Sequence, residues 1–351
     1  MNPAFRSRPW RWLRRTLLVF AGLGSLAFFS SLLAVLWGDP EFGPFPAASA
    51  DELAALARRF EQPYGAAHRD FHLRDGTRLS AQQLECPEAK RTLLLVHGLL
   101  GSSLLLNRPA GLLREAAHAE VVALDLRGHG GSSGAPGDVD SIGQYEADLA
   151  EVIAQLRAAQ PERQLILAGH SMGGGIALRY AQLRGAPAVE GYLLFAPYLG
   201  WDAPSTRHEP PPGADPAGAD FLRLNLPRIL GLKLLNAVGI TAFNGLRTEF
   251  FNLPPELPLR SYSFRASESM APKNARAALA AVDAPLLVVV GGQDEAFLPE
   301  AYPALLQGLP RAEAVVIPGA SHDGVLEDPQ ALRAVASWAL LTEGPALRRE
   351  P

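Results

Sequence analysis

Gln164-Leu165-Ile166-Leu167-Ala168-Gly169-His170-Ser171-Met172-Gly173-Gly174-Gly175-Ile176-Ala177 decides the fold of this chain. Leu165 to Ala168 is a continuous apolar run, as expected of a parallel strand covered on both faces. Gly169-His170-Ser171-Met172-Gly173 fits Gly-x-Ser-x-Gly, a sharp strand-to-helix turn that holds a serine in a strained backbone. Side chains at the two flanking glycines would clash there. The spacing predicts that Ser171 Oγ stands clear at the top of a sheet. The helix N-terminus behind it would favour developing negative charge.

Outward from this stretch, strands and helices alternate. Phe71 to Leu79 reads as a hairpin turning at Asp75-Gly76. Strands are expected at Thr92 to Val96, Val121 to Leu124 and Gly191 to Phe195. Helices are expected over Ser102 to His118, interrupted near Pro109, over Ser141 to Ala159, and from Ser171 to about Leu183. After residue 281 come a strand at Leu286 to Val290, a helix at Pro299 to Leu309, a strand at Ala314 to Ile317 and a helix at Val325 to Leu341. This alternation implies an α/β fold with a mostly parallel, doubly wound sheet.

The alternation breaks between Pro197 and Ala281. That stretch is Pro/Gly-rich over Pro204 to Pro216, then apolar and interrupted over Leu222 to Phe251. It is too long for one loop, and reads as a cap inserted over the C-terminal edge of the sheet. The expected organisation is residues 1–38 as an Arg-rich segment and membrane anchor, and 39–66 as linker and short helix (Asp51 to Phe60). Residues 67–197 and 282–342 are the two parts of the core, 198–281 the cap and 343–351 a tail.

Arg6, Arg8, Arg11, Arg14 and Arg15 precede an uncharged run from Thr16 to Trp37. At 1.5 Å per residue this run of about 22 residues spans roughly 33 Å, enough for a bilayer core. Trp10, Trp12 and Trp37 stand where interfacial aromatics belong. The expectation is one N-terminal transmembrane helix acting as a signal anchor. The arginines would be cytoplasmic and the rest extracytoplasmic, periplasmic in a bacterium. A cleaved signal peptide and a buried core helix are the competing readings.

The net charge of −4 over 351 residues gives no footprint for nucleic acid. The single cysteine, Cys86, excludes an internal disulfide. No Cys/His cluster has zinc-ligand spacing, so no metal or organic cofactor is expected.

A serine nucleophile needs a base, and the base needs an orienter. In this architecture they follow in the order Ser, acid, His. Asp294, in Val290-Gly291-Gly292-Gln293-Asp294-Glu295, lies just past a strand end. His322, in Gly319-Ala320-Ser321-His322-Asp323-Gly324, lies just past the next. Both should reach the same sheet edge as Ser171. Glu295 and Asp202 are the alternative acids. His68, His72, His118, His129 and His208 fall off that edge or outside the order. Two backbone N–H groups should hold the oxyanion: Met172, directly after the serine, and one from His97-Gly98-Leu99-Leu100-Gly101, where Leu99 is chosen. His97 is read as a packing residue.

These segments resemble the α/β-hydrolase superfamily, and within it the monoacylglycerol lipase, lysophospholipase and serine aminopeptidase-like branch. His97-Gly98, Asp125-Leu126-Arg127-Gly128-His129-Gly130-Gly131-Ser132, Gly169 to Gly173, and the late Asp294 and His322 carry the resemblance, over roughly Phe71 to Leu341. The resemblance implies that Asp125 to Ser132 is a structural loop bracing the active-site edge. The loop after His97-Gly98 departs from monoacylglycerol lipases in lacking their Glu-His pair, and the cap carries no motif that assigns it.

The expected activity is ester hydrolysis through an acyl-enzyme on Ser171. The apolar cap (Phe221, Leu222, Leu224, Ile229, Leu230, Leu234, Leu235, Phe243, Phe250, Phe251) and the anchor favour a lipophilic acyl ester or lipid as substrate. Packing of the cap onto the core explains those residues equally well. The rivals are an amidase or aminopeptidase using Glu249, Glu256 or Glu268 to hold an amino terminus, and an acyltransferase. A membrane-tethered pseudo-hydrolase that only binds is the non-enzyme alternative.

Overall fold

The computed structural model describes residues 8–43, 54, 57–209 and 221–341. An N-terminal helix α1 (Arg8–Val35) precedes the α/β body. The body begins with an antiparallel hairpin, β1 (Ala67–His72) and β2 (Arg78–Leu84). Then follow β3 (Arg91–Val96), α2 (Asn107–Ala117), β4 (Glu120–Leu124), α3 (Gln144–Ala159), β5 (Gln164–His170), α4 (Met172–Ala181) and β6 (Gly191–Phe195). The sheet order is β1-β2-β4-β3-β5-β6, completed by β10 (Leu286–Gly291) and β11 (Ala312–Ile317). Pairing is parallel from β4 to β11.

Every residue of β3, β4, β6 and β10 is buried, which is why Leu93 to Val96, Val121 to Leu124, Tyr192 to Phe195 and Leu286 to Val290 read as unbroken apolar runs rather than alternating ones. Successive side chains still point to opposite faces. Leu94, Val96, Leu167, Leu194, Val288 and Val290 pack on one side. Leu93, Leu95, Ile166, Leu193, Phe195 and Val289 pack on the other, where they meet Trp338 of α9 (Pro329–Leu341).

Helix ends are shorter than their apolar patterns. α2 starts at Asn107 rather than Ser102 and so takes Pro109 into its first turn, where a missing N–H costs nothing. The run from Val325 is broken at Pro329 into a short 3₁₀ turn and α9. The segment Pro299 to Leu309 is helical only over α8 (Ala301–Leu306). Of the short helix expected at Asp51 to Phe60, Ala54 and Ala57 to Arg59 are helical and residues 51–53, 55 and 56 lie outside the described residues, as does the tail from residue 342.

Between β6 and β10 lie β7 (Leu222–Leu224), α5 (Leu226–Ala237), β8 (Arg247–Phe251), β9 (Ser261–Ser263), α6 (Phe264–Ser267) and α7 (Ala275–Ala280). The antiparallel sheet β7-β8-β9 was not legible in the sequence, because strands of three to five residues carry almost no periodicity. This insertion is tied to the loop before α3. Ser263 N–H donates to Gly137 O at 3.0 Å, and Arg265 grips Asp138 through two contacts of 2.8 Å.

The expectation of an N-terminal transmembrane helix needs correction. Residues 8–35 are helical, but no helix among the described residues is long and apolar enough to cross a membrane. One side of the last turn of α1 packs on protein. Ser31 and Val35 are buried against α5, where a Cβ on Gly231 would lie 2.7 Å from Ser31 O. Arg228 caps the helix end, donating to Val35 O at 3.2 Å and to Trp37 O, and pairs with Asp39 at 2.6 Å. Leu33, Leu36 and Trp37 nevertheless remain exposed, beside exposed Leu226, Leu230, Leu234 and Val238 of the insertion.

Candidate active site

The nucleophile turn forms as the glycines demand. Ser171 sits between β5 and α4 with φ 52° and ψ −117°, outside the regions comfortable for a side chain. A Cβ on Gly169 would lie 2.5 Å from the Gly173 carbonyl carbon, and one on Gly173 2.3 Å from Val96 O. The turn therefore presses directly on β3 and tolerates nothing larger than glycine at either position. Ser171 N–H donates to Phe195 O and Ser171 O accepts from Tyr198 N–H, both at 2.9 Å, locking the strained residue to the end of β6.

Parallel register brings the other candidates to the same edge. Val96 pairs with Gly169, His170 with Phe195, and Gly291 with Ile317. The loops after β3, β5, β10 and β11 thus emerge together. Asp294 is buried just past β10. Its Oδ1 accepts N–H groups of Ala296 and Phe297, both at 2.8 Å, and its Oδ2 faces His322 Nδ1 at 2.9 Å. Asp294 is thereby oriented by its own turn before it orients the imidazole. The alternative acid Glu295 accepts from the His322 backbone N–H at 3.0 Å, not from its ring. Asp202 is exposed and bonds to neither ring nitrogen among the described residues.

Burial pulls the His322 pKa down, but the hydrogen bond and charge of Asp294, with Asp323 and Glu295, outweigh it and hold the ring above the ordinary 6.5. Phe297 meets this ring edge-on at 5.1 Å and stacks on Tyr198. His170, next to Ser171, packs 4.7 Å from the His322 ring centroid. The structure joins Asp294 to His322 directly; it joins His322 to the nucleophile turn through His170, whose Nε2 donates to His322 O at 3.1 Å.

Ligating atoms of His170, His322 and Asp323 lie within 4.8 Å of one another. They do not form a good metal site. A carbonyl can only accept, so His170 Nε2 carries a proton there and has no lone pair to offer.

Met172 N–H opens α4 and is one of the unpaired donors of a helix start. Leu99 lies in the loop after β3, and its N–H donates to nothing among the described residues. The neighbouring Leu100 N–H is taken by Tyr262 Oη at 2.9 Å. His97 donates from Nδ1 to Gly98 O at 2.8 Å and accepts Leu126 N–H at Nε2, so it packs and braces as expected. The loop Asp125 to Ser132 supports this edge: Asp125 accepts Ser103 N–H at 2.5 Å and Gly131 N–H at 2.8 Å. Sequence reasoning missed Tyr262, which lies 162 residues beyond Leu100 with no motif around it.

Comparison with known proteins gives the family and the fold. The family described as serine aminopeptidase, S33, matches residues 87–329, more than half of the chain. Over 86 residues the chain is 34% identical to the esterase PIR7B of Oryza sativa subsp. japonica, covering 24% of this chain and 31% of that protein. The chain spans between 24% and 31% of the length of the curated relatives it matches. The structure of the monoacylglycerol lipase of Paleococcus ferrophilus is similar over 75% of this chain and 99% of that one, at 23% identity and a TM-score of 0.53. That of a membrane phospholipase A described as a bacterial virulence factor is similar over 96% and 100%, at 19% identity and 0.52. The family match over residues 87–329, on a sheet shared with these hydrolase structures, establishes that the chain belongs to the serine aminopeptidase S33 family of α/β-hydrolases.

Proposed function

We propose that the protein is a serine hydrolase of carboxylic esters. The observation that carries this reading is the 2.9 Å contact of Asp294 with His322 at the sheet edge where strained Ser171 opens α4. Ser171 Oγ attacks the acyl carbon while His322 Nε2 takes its proton, and Asp294 stabilises the imidazolium. The N–H groups of Leu99 and Met172 hold the oxyanion. The alcohol leaves with the proton from His322, and a water activated by the same ring releases the acid.

The proposed substrate is a lipophilic acyl ester of the monoacylglycerol or lysophospholipid type. The exposed apolar side chains of α1 and of the inserted cap support this, since large exposed apolar faces mark interaction with lipid or partner. We propose that the exposed apolar side chains of α1 and α5 rest the protein on a membrane surface, on its extracytoplasmic side.

The test is hydrolysis of p-nitrophenyl esters from acetyl to palmitoyl by the full chain in detergent, beside Ser171→Ala. Loss of all ester turnover in the variant, with a long-chain optimum in the wild type, supports the proposal. Equal rates in both overturn the role of Ser171. A wild type that neither hydrolyses esters nor labels with a fluorophosphonate is the pseudo-hydrolase outcome. Recovery of the full chain in the soluble fraction of its cells would overturn the membrane assignment.

One observation favours a second reading, amide or aminopeptide hydrolysis. Glu249 of β8 stands within electrostatic reach of Tyr198 and Tyr262, and burial pushes its carboxyl up to about 7. A substrate ammonium beside it would restore its charge. Turnover of aminoacyl p-nitroanilides that falls in Glu249→Gln would favour this reading over the ester one.

A further inference from the structure

The oxyanion loop is held from the cap, and the proton order of that connection is fully determined. His129 Nδ1 lies 3.0 Å from Arg127 O, and a carbonyl only accepts, so Nδ1 carries the ring proton. Burial, with repulsion between this ring and that of His97 whenever both are protonated, keeps the ring from taking a second proton, with a pKa of about 3. His129 Nε2 is therefore an acceptor. Tyr262 Oη, 2.9 Å away, must donate to it. That leaves the phenol oxygen free to accept Leu100 N–H at 2.9 Å. Each hydrogen in the chain Leu100, Tyr262, His129, Arg127 has one possible direction.

The consequence falls on the neighbouring peptide. Leu100 stands at φ 57°, a left-handed conformation that leucine rarely adopts. Something must hold it there, and Tyr262 does so through the N–H. With Leu100 N–H consumed, Leu99 N–H is the donor left to face the reacting carbonyl. Tyr262 is fully buried and belongs to β9, inside the insertion. β9 leads into Ser263, whose N–H is bonded to Gly137 O, and into Arg265, which grips Asp138. The cap thus reaches the loop after β3 through Tyr262.

We infer that Tyr262 is a positioning residue for the oxyanion hole, and that the hole is complete only while the cap is seated. This rests on the ester-hydrolase reading given above. It gives the Asp125 to Ser132 loop a second use: Asp125 anchors the oxyanion loop at Ser103, and His129 orients the phenol that anchors it at Leu100. It also predicts that the cap affects the chemical step itself, even for an acyl group too small to touch the cap.

The experiment uses the full chain, p-nitrophenyl acetate and a fluorophosphonate probe. Tyr262→Phe keeps the ring and removes both hydrogen bonds. The expected result is kcat lowered about 10- to 100-fold with KM within about twofold, since the lost interaction acts in the transition state. Phosphonylation should slow in parallel, and amide hydrogen exchange over residues 97–104 should speed up. His129→Leu should lower kcat less, and the double variant should be no slower than Tyr262→Phe, because both act through one chain. Arg265→Met, which loosens the cap at Asp138, should also lower kcat for the acetyl ester, and Arg265→Lys should restore part of it. Unchanged kcat in Tyr262→Phe, or a change confined to KM, overturns the inference. So does unaltered exchange over residues 97–104, which is read without any turnover. A wild type that fails to label with the fluorophosphonate fails the hydrolase reading instead.

Discussion

His322 Nδ1 lies 2.9 Å from Asp294 Oδ2, across loops that follow two adjacent parallel strands. The bond points the other ring nitrogen away from Asp294. It also raises the affinity of the ring for a proton above that of a free histidine.

That shift has a definite sign in pH. His322 must be neutral to take the Ser171 proton, so activity should rise with pH through a midpoint above 6.5. The ion pair of protonated His322 with Asp294 contributes stability that is fully present below pH 6.5 and is lost as pH rises through the folded-state value. Asp294→Asn should lower kcat by roughly 10⁴-fold and move the acid limb of the pH–rate profile to lower pH. A profile in which that limb stays put would show that Asp294 does not set the His322 pKa.

Three other histidines should act oppositely on stability. Burial lowers His97 to about 4, His129 to about 3 and His170 to about 4. The unfolded chain takes up these protons near pH 6.5 and the folded one only near 3 to 4, so stability should fall as pH drops from 6.5 towards 4. Urea midpoints measured at pH 7.5, 6 and 5 check this. The loss should clearly exceed the opposing gain from His322, and a flat profile would refute it.

Ser171 stores backbone strain at φ 52°. Ser171→Gly should therefore unfold at a higher temperature than Ser171→Ala, by the equivalent of about 1 kcal/mol, with both inactive. Calorimetry of the two variants decides it; equal stabilities would mean that the turn is not strained.

The contact of α1 with α5 depends on close approach at Gly231. Gly231→Val should cost about 1–3 kcal/mol of that packing and expose the segment 36–43 to protease. Turnover of p-nitrophenyl acetate should stay near wild type. Cleavage no faster than wild type would mean that α1 is held by Arg228 alone.

Much of the site was legible because local rules carry it. Gly169, Ser171 and Gly173 announce their turn, since only glycine fits against Val96 O and the Gly173 carbonyl group. Asp294 and His322 announce themselves by standing just past predicted strands. The N-terminal helix was legible as a helix, but its docking onto Gly231 and Arg228 was not, because a hydropathy run says nothing about which residues later bury its last turn. The cap strands and Tyr262 were silent, being short and far in sequence from what they hold.

By itself the sequence determined the alternation of buried strands and helices, the nucleophile turn, and the order of Ser171, Asp294 and His322, because periodicity, glycine sterics and strand ends are local properties. Only the tertiary structure decided how the imidazole residue is held, Asp294 at its ring and Glu295 at its backbone N–H, and that Tyr262 occupies Leu100 N–H in the loop after β3. Those choices turn on differences of an ångström between groups brought together by sheet register and cap seating. No local pattern encodes such distances.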